Sequence, residues 1–278
     1  MRANDAQDLA LIEGAVRRAG EIARRYYGQA CRRWSKSRGE PVTEADLAID
    51  HFLRGRLEAA RPDYGWLSEE TGRDQARAGA ERQFIVDPID GTTAFLKQRP
   101  HFSISVALAE HGRAVVGVVY NPITEELFGA AENGSARLNG APIHVSACVT
   151  LAGCHVLGQK DMFAYPPVPQ TSSWPEMQIE SRSSIAYRMA LVAAGQFDAA
   201  IVLSPKHDWD MAAGDVIVRE AGGVVTSRDG QPLRFGGPNA VQRSMICAGP
   251  GLHALFLERL GAASPAQAEN EEQSHAGA

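Results

Sequence analysis

Between Asp8 and Tyr27 the apolar residues Leu9, Ile12, Val16, Ala19, Ile22, Ala23 and Tyr26 recur every three or four positions, which predicts a helix with one buried stripe. Gly28 follows as its stop, since glycine takes a left-handed turn without a Cβ penalty. Beyond the basic stretch Arg32 to Arg38, Thr43-Glu44-Ala45-Asp46 has the form of a capping box. It opens a second helix with Leu47, Ile49, Phe52, Leu53 and Leu57 inward, closed by Pro62. The polar stretch Thr71 to Glu81 reads as a surface loop or short irregular helix. Phe84-Ile85-Val86 is a short apolar strand. Further strands follow at Phe102–Ala109, Ala114–Tyr120 and Glu126–Ala130, with turn signals at His111-Gly112, Asn121-Pro122 and Asn139-Gly140. Short turns between such runs predict an antiparallel meander.

The second half alternates. Helices are expected at about Ser183–Ala194, Met211–Ala221 and Gly251–Leu260, and strands at Ala199–Leu203, Val224–Thr226 and Ser244–Ala248. Such alternation predicts layered α and β structure. The tract Ala164 to Pro175 carries Pro166, Pro167, Pro169 and Pro175 and reads as an extended loop. Ser264 to Ala278 has no apolar period and reads as a disordered tail. No internal repeat is visible. The expected organisation is one domain over 1–262, with an α+β part at about 1–150 and an α/β part at about 151–262, followed by a tail at 263–278.

Composition narrows the function. With 278 residues and 44% hydrophobic content the chain can build a sizeable core. Its 28 basic and 33 acidic residues give a net charge of −5, so no overall positive field exists to hold a nucleic-acid polymer. Any anionic ligand must be met locally. Cys31, Cys148, Cys154 and Cys247 form no CxxC pair, which fits a reducing compartment and core packing rather than a zinc site. No apolar run reaches the ~18 residues of a membrane span, and Met1 to Gln7 lacks a signal-type apolar core. The expectation is a cytoplasmic protein that binds no membrane.

The chemistry is concentrated in Asp87-Pro88-Ile89-Asp90-Gly91-Thr92-Thr93. Two carboxylates three residues apart, with a proline between them and a glycine after, suggest a rigid turn aiming both acids at one spot. Like charges that close need a counter-cation, or one must stay protonated. Oxygen ligands without neighbouring Cys or His favour magnesium or calcium. The alternative for Asp87 alone is a loop-capping Asx turn. Other acids stand at strand ends or helix starts: Asp46, the pair Glu69-Glu70, and Asp210, which taken alone would be the N-cap of the helix after it.

Taken in order, Val42-Thr43-Glu44-Ala45-Asp46, Ser68-Glu69-Glu70, Asp87-Pro88-Ile89-Asp90-Gly91-Thr92, and Trp209-Asp210 with Glu220-Ala221-Gly222-Gly223 resemble the inositol monophosphatase superfamily. These are magnesium-dependent, lithium-inhibited phosphomonoesterases, and the resemblance runs from Lys36 to about Leu260. It implies an α-β-α-β-α sandwich, a homodimer, and a small phosphorylated metabolite as substrate. Glu70, Asp87 and the carbonyl of Ile89 would hold a first Mg2+, and Asp87, Asp90 and Asp210 a second, with Glu70 and waters around a weaker third. Thr92 with Asp46 would orient the attacking water. The amides of Gly91 and Thr92 would grip phosphate oxygens, and Lys36 fills the family's basic position.

The resemblance is less uniform where the substrate's alcohol would lie. Enzymes acting on inositol phosphates carry a glutamate seven positions before the WD aspartate, and this chain has Leu203 there. The Ser204-Pro205-Lys206-His207-Asp208 loop is similar to that of bacterial 3′(2′),5′-bisphosphate nucleotidases. Arg188 stands where those enzymes carry lysine, so Arg188 and Lys206 are candidates to clamp a second phosphate. Their alternative is as solvated cations. Thr93-Ala94 departs from the nucleotidase pattern towards the inositol enzymes. The expected reaction is adenosine 3′,5′-bisphosphate to AMP and phosphate. The alternatives are inositol-1-phosphate hydrolysis and, from another class, a moonlighting role with the transcription machinery. His101, His144 and His207 show no metal spacing, and Trp209 is expected to be a packing anchor for Asp210.

Overall fold

A computed structural model describes residues 1–35, 41–164 and 173–261. Lys36, most of the proline-rich tract and the tail fall outside them. The helices are α1 (Ala3–Tyr26), α2 (Glu44–Ala60), the short α3 (Thr92–Leu96), α4 (Ile185–Ala193), α5 (Asp208–Glu220) and α6 (Pro250–Arg259). An eight-stranded sheet runs in the spatial order Ala141–Pro142, Arg137–Leu138, Glu126–Ala131, Arg113–Asn121, Ser103–Glu110, Arg82–Asp90, Gly65–Ser68, Gly72–Arg73. The expected meander forms its centre, and among the described residues its one parallel pairing joins Gly65–Ser68 to Arg82–Asp90. A five-stranded sheet follows the order Gln178–Glu180, His155–Leu157, Ala199–Val202, Met245–Ala248, Val224–Thr226.

Alternation along the strands sorts the core into three slabs. Ile12, Val16 and Ala19 of α1 and Ile49, Leu53 and Leu57 of α2 pack with Phe84, Val86 and Val106 on one face of the large sheet. Ile85 and Ala107 point the other way, into a slab shared with α4, α5, Ala200 and Val202. Ala199 and Ile201, out of phase with those last two, meet Leu252 and Phe256 of α6. Residues two apart in a strand share a face, so this division yields five layers: α1 and α2, sheet, α4 and α5, sheet, α6. Every residue of α4, Arg188 included, is buried, because sheets cover the helix on both sides.

Two acids on α1 depart from the simple stripe. Asp5 and Asp8 are fully buried, and Arg82 reaches both at 2.7 and 2.9 Å while Arg61 meets Asp8 at 2.7 Å. Buried carboxylates persist where guanidinium groups compensate their lost hydration. Among the described residues no helix is long and apolar enough to cross a membrane.

His253 on α6 is buried, its Nε2 2.9 Å from the Thr226 hydroxyl, and burial pushes its pKa down to about 4. The folded chain therefore holds this ring neutral where the unfolded chain would protonate it. Stability from this site is complete above about 6.5 and is lost as pH falls towards about 4. Its slope is at most about 1.4 kcal/mol per pH unit. His253→Asn, compared with wild type by urea denaturation from pH 7 to 4.5, is expected to show a shallower loss. Parallel curves would rule out this contribution.

Candidate metal centre

The strand Arg82–Asp90 carries the site beyond the end of its regular pairing. Asp87 lies opposite Ser105 and Asp90 opposite Ser103, so three steps on this strand match two on its neighbour. In a regular strand residues three apart face opposite sides; the bulge restores them to the same side. Asp87-Pro88-Ile89-Asp90 is thus a bulged strand end rather than a turn, though it aims both acids at one spot as expected, and Pro88 sits where no ladder donor is required. The Ile89 amide donates to Asp87 Oδ1 at 3.0 Å. One oxygen of Asp90 accepts from the Ser184 hydroxyl at 2.6 Å and the Ala186 amide at 2.7 Å, both at the start of α4.

Asp210 arrives from α5. The helix begins at Asp208, so Asp210 stands in its first turn rather than at the N-cap, and its carboxylate accepts from the His207 amide at 2.8 Å. Trp209 beside it stacks on the His207 ring at 4.4 Å, and its carbonyl accepts from Ser105 at 3.2 Å. This anchors the turn that presents Asp210.

One carboxylate oxygen from each of Asp87, Asp90 and Asp210 lies within 4.8 Å of the other two. Asp87 and Asp90 are buried, and Asp210 faces a cavity of about 470 Å³. Burial raises all three pKa values, and mutual repulsion adds to it: Asp87 and Asp210 rise well above the carboxylate range and Asp90 to about 6. The donor set is oxygen throughout, including the nearby Ile89 carbonyl, so these residues fit a hard divalent cation that would relieve their repulsion.

The glutamate that joins them is Glu69, not Glu70. Glu69 lines the cavity, its charge acts on Asp87, Asp90 and Asp210, and its carboxylate shares a hydrogen bond with Asp87. The cause is the pleat. Leu67 shares the middle slab with Ile85, and the Glu69 amide continues the pairing by donating to Val86 O at 3.1 Å. Glu69 therefore lies on the face of Leu67, alongside Asp87, whereas Glu70 has the opposite phase. Counting strand phase from Leu67 was the signal available in the sequence.

Asp46 and Thr92 meet as expected. Thr92 Oγ1 lies 3.2 Å from Asp46 Oδ1 and 3.1 Å from Ile89 O. The other Asp46 oxygen closes the capping box by accepting from the Thr43 amide at 2.8 Å and hydroxyl at 2.5 Å. Burial outweighs these bonds and lifts Asp46 to about 6. Gly91, with φ +96°, makes the bend into α3, and a Cβ there would stand 3.0 Å from the Ser184 amide.

Arg188 and Lys206 line the same cavity. Arg188 is buried rather than solvated, and its Nε donates to Arg182 O at 2.6 Å. Lys206 is held in a two-residue strand pair with Gln242. Leu203 lines an adjoining recess of about 180 Å³ together with Ile201, Val202 and Met162. A larger cavity of about 560 Å³ lies elsewhere, bounded by the ion-paired Arg2, Arg82 and Glu110.

The profile of the inositol monophosphatase family matches residues 5–265. An inositol-1-monophosphatase of Rhizobium meliloti is 38% identical over 232 residues, covering 80% of this chain and 86% of that one. The Nus factor SuhB of Pasteurella multocida is 34% identical over 224 residues, covering 78% and 83%. Among solved structures, the extragenic suppressor protein SuhB of Bartonella henselae superposes with a TM-score of 0.79 at 30% identity, covering 91% of this chain and 98% of that one.

Proposed function

This chain belongs to the inositol monophosphatase family, a phosphoric monoester hydrolase family, and we propose that it is a Mg2+-dependent enzyme whose substrate carries a second anionic group. The observation carrying this reading is the convergence of Asp87, Asp90 and Asp210 within 4.8 Å beside the Thr92–Asp46 pair. Asp87 with Glu69 and the Ile89 carbonyl would hold one ion, and Asp87, Asp90 and Asp210 a second, Glu69 taking the place expected for Glu70. Bound there, divalent cations neutralise the carboxylates, polarise phosphoryl oxygens and acidify water.

The protein's own groups would then do the rest. The Gly91 and Thr92 amides hold non-bridging phosphoryl oxygens. Thr92 Oγ1 accepts from the attacking water, and its proton passes on to Asp46, whose pKa near 6 suits it to act as a base at neutral pH. The phosphorus–oxygen bond to the alcohol breaks opposite the incoming oxygen, and the departing alkoxide takes a proton from solvent water while Asp46 returns its proton to solvent. Little covalent assistance is required, because positioning and charge dominate phosphoryl transfer.

Leu203 and its apolar neighbours offer no carboxylate to accept from a polyol ring, while Arg188 and Lys206 flank the recess. This supports a nucleoside 3′(2′),5′-bisphosphate over inositol 1-phosphate. Phosphate release across nucleotide bisphosphates, inositol phosphates and sugar phosphates, with and without Mg2+, tests it. Lys206→Ala is expected to raise KM for the bisphosphate about tenfold or more, with a smaller effect on monophosphates. A dominant turnover of inositol 1-phosphate would overturn the substrate assignment.

A further inference from the structure

The metal centre is braced from a residue that takes no part in it. Asp50 lies one turn after Asp46 on α2, so both carboxylates leave the same face of the helix, and both are buried. Asp46 reaches Thr92, at one end of the site. Asp50 reaches the Ser68–Thr71 segment: its Oδ1 accepts from the Ser68 hydroxyl and its Oδ2 from the Thr71 hydroxyl at 3.0 Å. Ser68 and Thr71 flank the pair Glu69-Glu70.

Each hydroxyl also accepts a bond. Ser68 Oγ takes the Glu70 amide at 3.2 Å, and Thr71 Oγ1 takes the indole N–H of the fully buried Trp66 at 3.0 Å. The four residues Ser68 to Thr71 are thereby closed onto one carboxylate, and the strand bond from the Glu69 amide to Val86 O sets that residue beside Asp87. A buried carboxylate with both oxygens satisfied by hydroxyls gains rigidity from a network whose members have few alternatives. Metal affinity depends on how tightly the groups behind the ligands hold them, typically by 10–100-fold.

We propose that Asp50 is a positioning residue for the metal centre: through Ser68 and Thr71 it fixes the turn that carries Glu69 into the site. This rests on the metal-centre reading above. The experiment measures Mn2+ binding to the whole protein by titration calorimetry, alongside Mg2+ activation and unfolding temperature. Asp50→Asn and Thr71→Val are each expected to weaken Mn2+ binding about tenfold or more. kcat at saturating Mg2+ should stay close to wild type, and Thr71→Ser, which restores the hydroxyl, should bind like wild type. If Thr71→Val lowers the unfolding temperature but leaves Mn2+ affinity unchanged, Asp50 only stabilises the fold and the inference falls. Glu69→Gln and Asp87→Asn separate the two levels. Should they also leave Mn2+ binding intact, the metal-centre reading itself fails; should they weaken it while Thr71→Val does not, only the positioning role is lost.

Discussion

Asp87→Asn is expected to lower phosphate release by about three orders of magnitude or more and, in chelator, to make the protein more stable rather than less. Asparagine keeps an oxygen for the Ile89 amide that Asp87 Oδ1 now accepts at 3.0 Å, so the strand end retains its geometry. What disappears is a charge. Burial, and then Glu69, Asp90 and Asp210, push the Asp87 pKa well above the usual carboxylate range. A group raised in the folded state adds stability below its unfolded value and loses it as pH rises through the folded one. At pH 8 without metal the wild-type cluster is therefore under electrostatic stress that the variant relieves. A gain of about 1 kcal/mol, or roughly 2–4 °C for a chain of this size, is the expected scale. Saturating Mg2+ should reverse the order, stabilising wild type and leaving the variant nearly unchanged. Thermal unfolding in chelator and in Mg2+ checks both halves; equal metal-induced shifts in the two proteins would remove Asp87 from the centre.

Gly117→Ala is expected to cost both stability and catalysis, from a position with no chemistry of its own. Gly117 lies mid-strand in Arg113–Asn121, where α5 crosses the sheet so closely that a Cβ would stand 2.4 Å from the Ala213 carbonyl oxygen and 2.5 Å from Val216 Cγ1. Backbone is on the other side of that contact, so no side chain can swing away and α5 must move. Overpacking of this kind costs about 1–3 kcal/mol or more, a fall of about 2–12 °C in unfolding temperature. Asp210 sits one turn before Ala213 on the same helix. A displacement near 1 Å at the ligand would cost about 100-fold in turnover, measured well below the unfolding transition. Loss of stability with full activity would mean that the helix pivots about its first turn rather than shifting as a body.

The differences between sequence and structure are instructive because each involves relative facing. Glu69 and Glu70 are chemically identical neighbours, and only the phase of the strand from Leu67 places Glu69 in the cavity and Glu70 out of phase with it. Asp87 and Asp90, three apart, share a side only because the register against Ser105 and Ser103 slips by one. For Arg188 a local window leaves open a phosphate clamp or a solvated helix cation; α4 is covered by a sheet on each side and Arg188 is buried with it, which removes the solvated reading. Asp50 resembles an ordinary polar position on an amphipathic helix until Ser68 and Thr71 are brought over it.

Helical and strand periods, the capping box at Thr43–Asp46, the hard oxygen chemistry of Asp87 and Asp90 and the layered class follow from the order of residues alone, since each depends on positions within about a turn or two of one another. Which acids share a cavity and how deeply a cation is buried were decided by tertiary structure. Asp46 and Thr92, or Asp90 and Asp210, are brought together by sheet register and by the crossing of α5 over Gly117. Those contacts depend on how separate elements dock, and no local window of sequence contains that information.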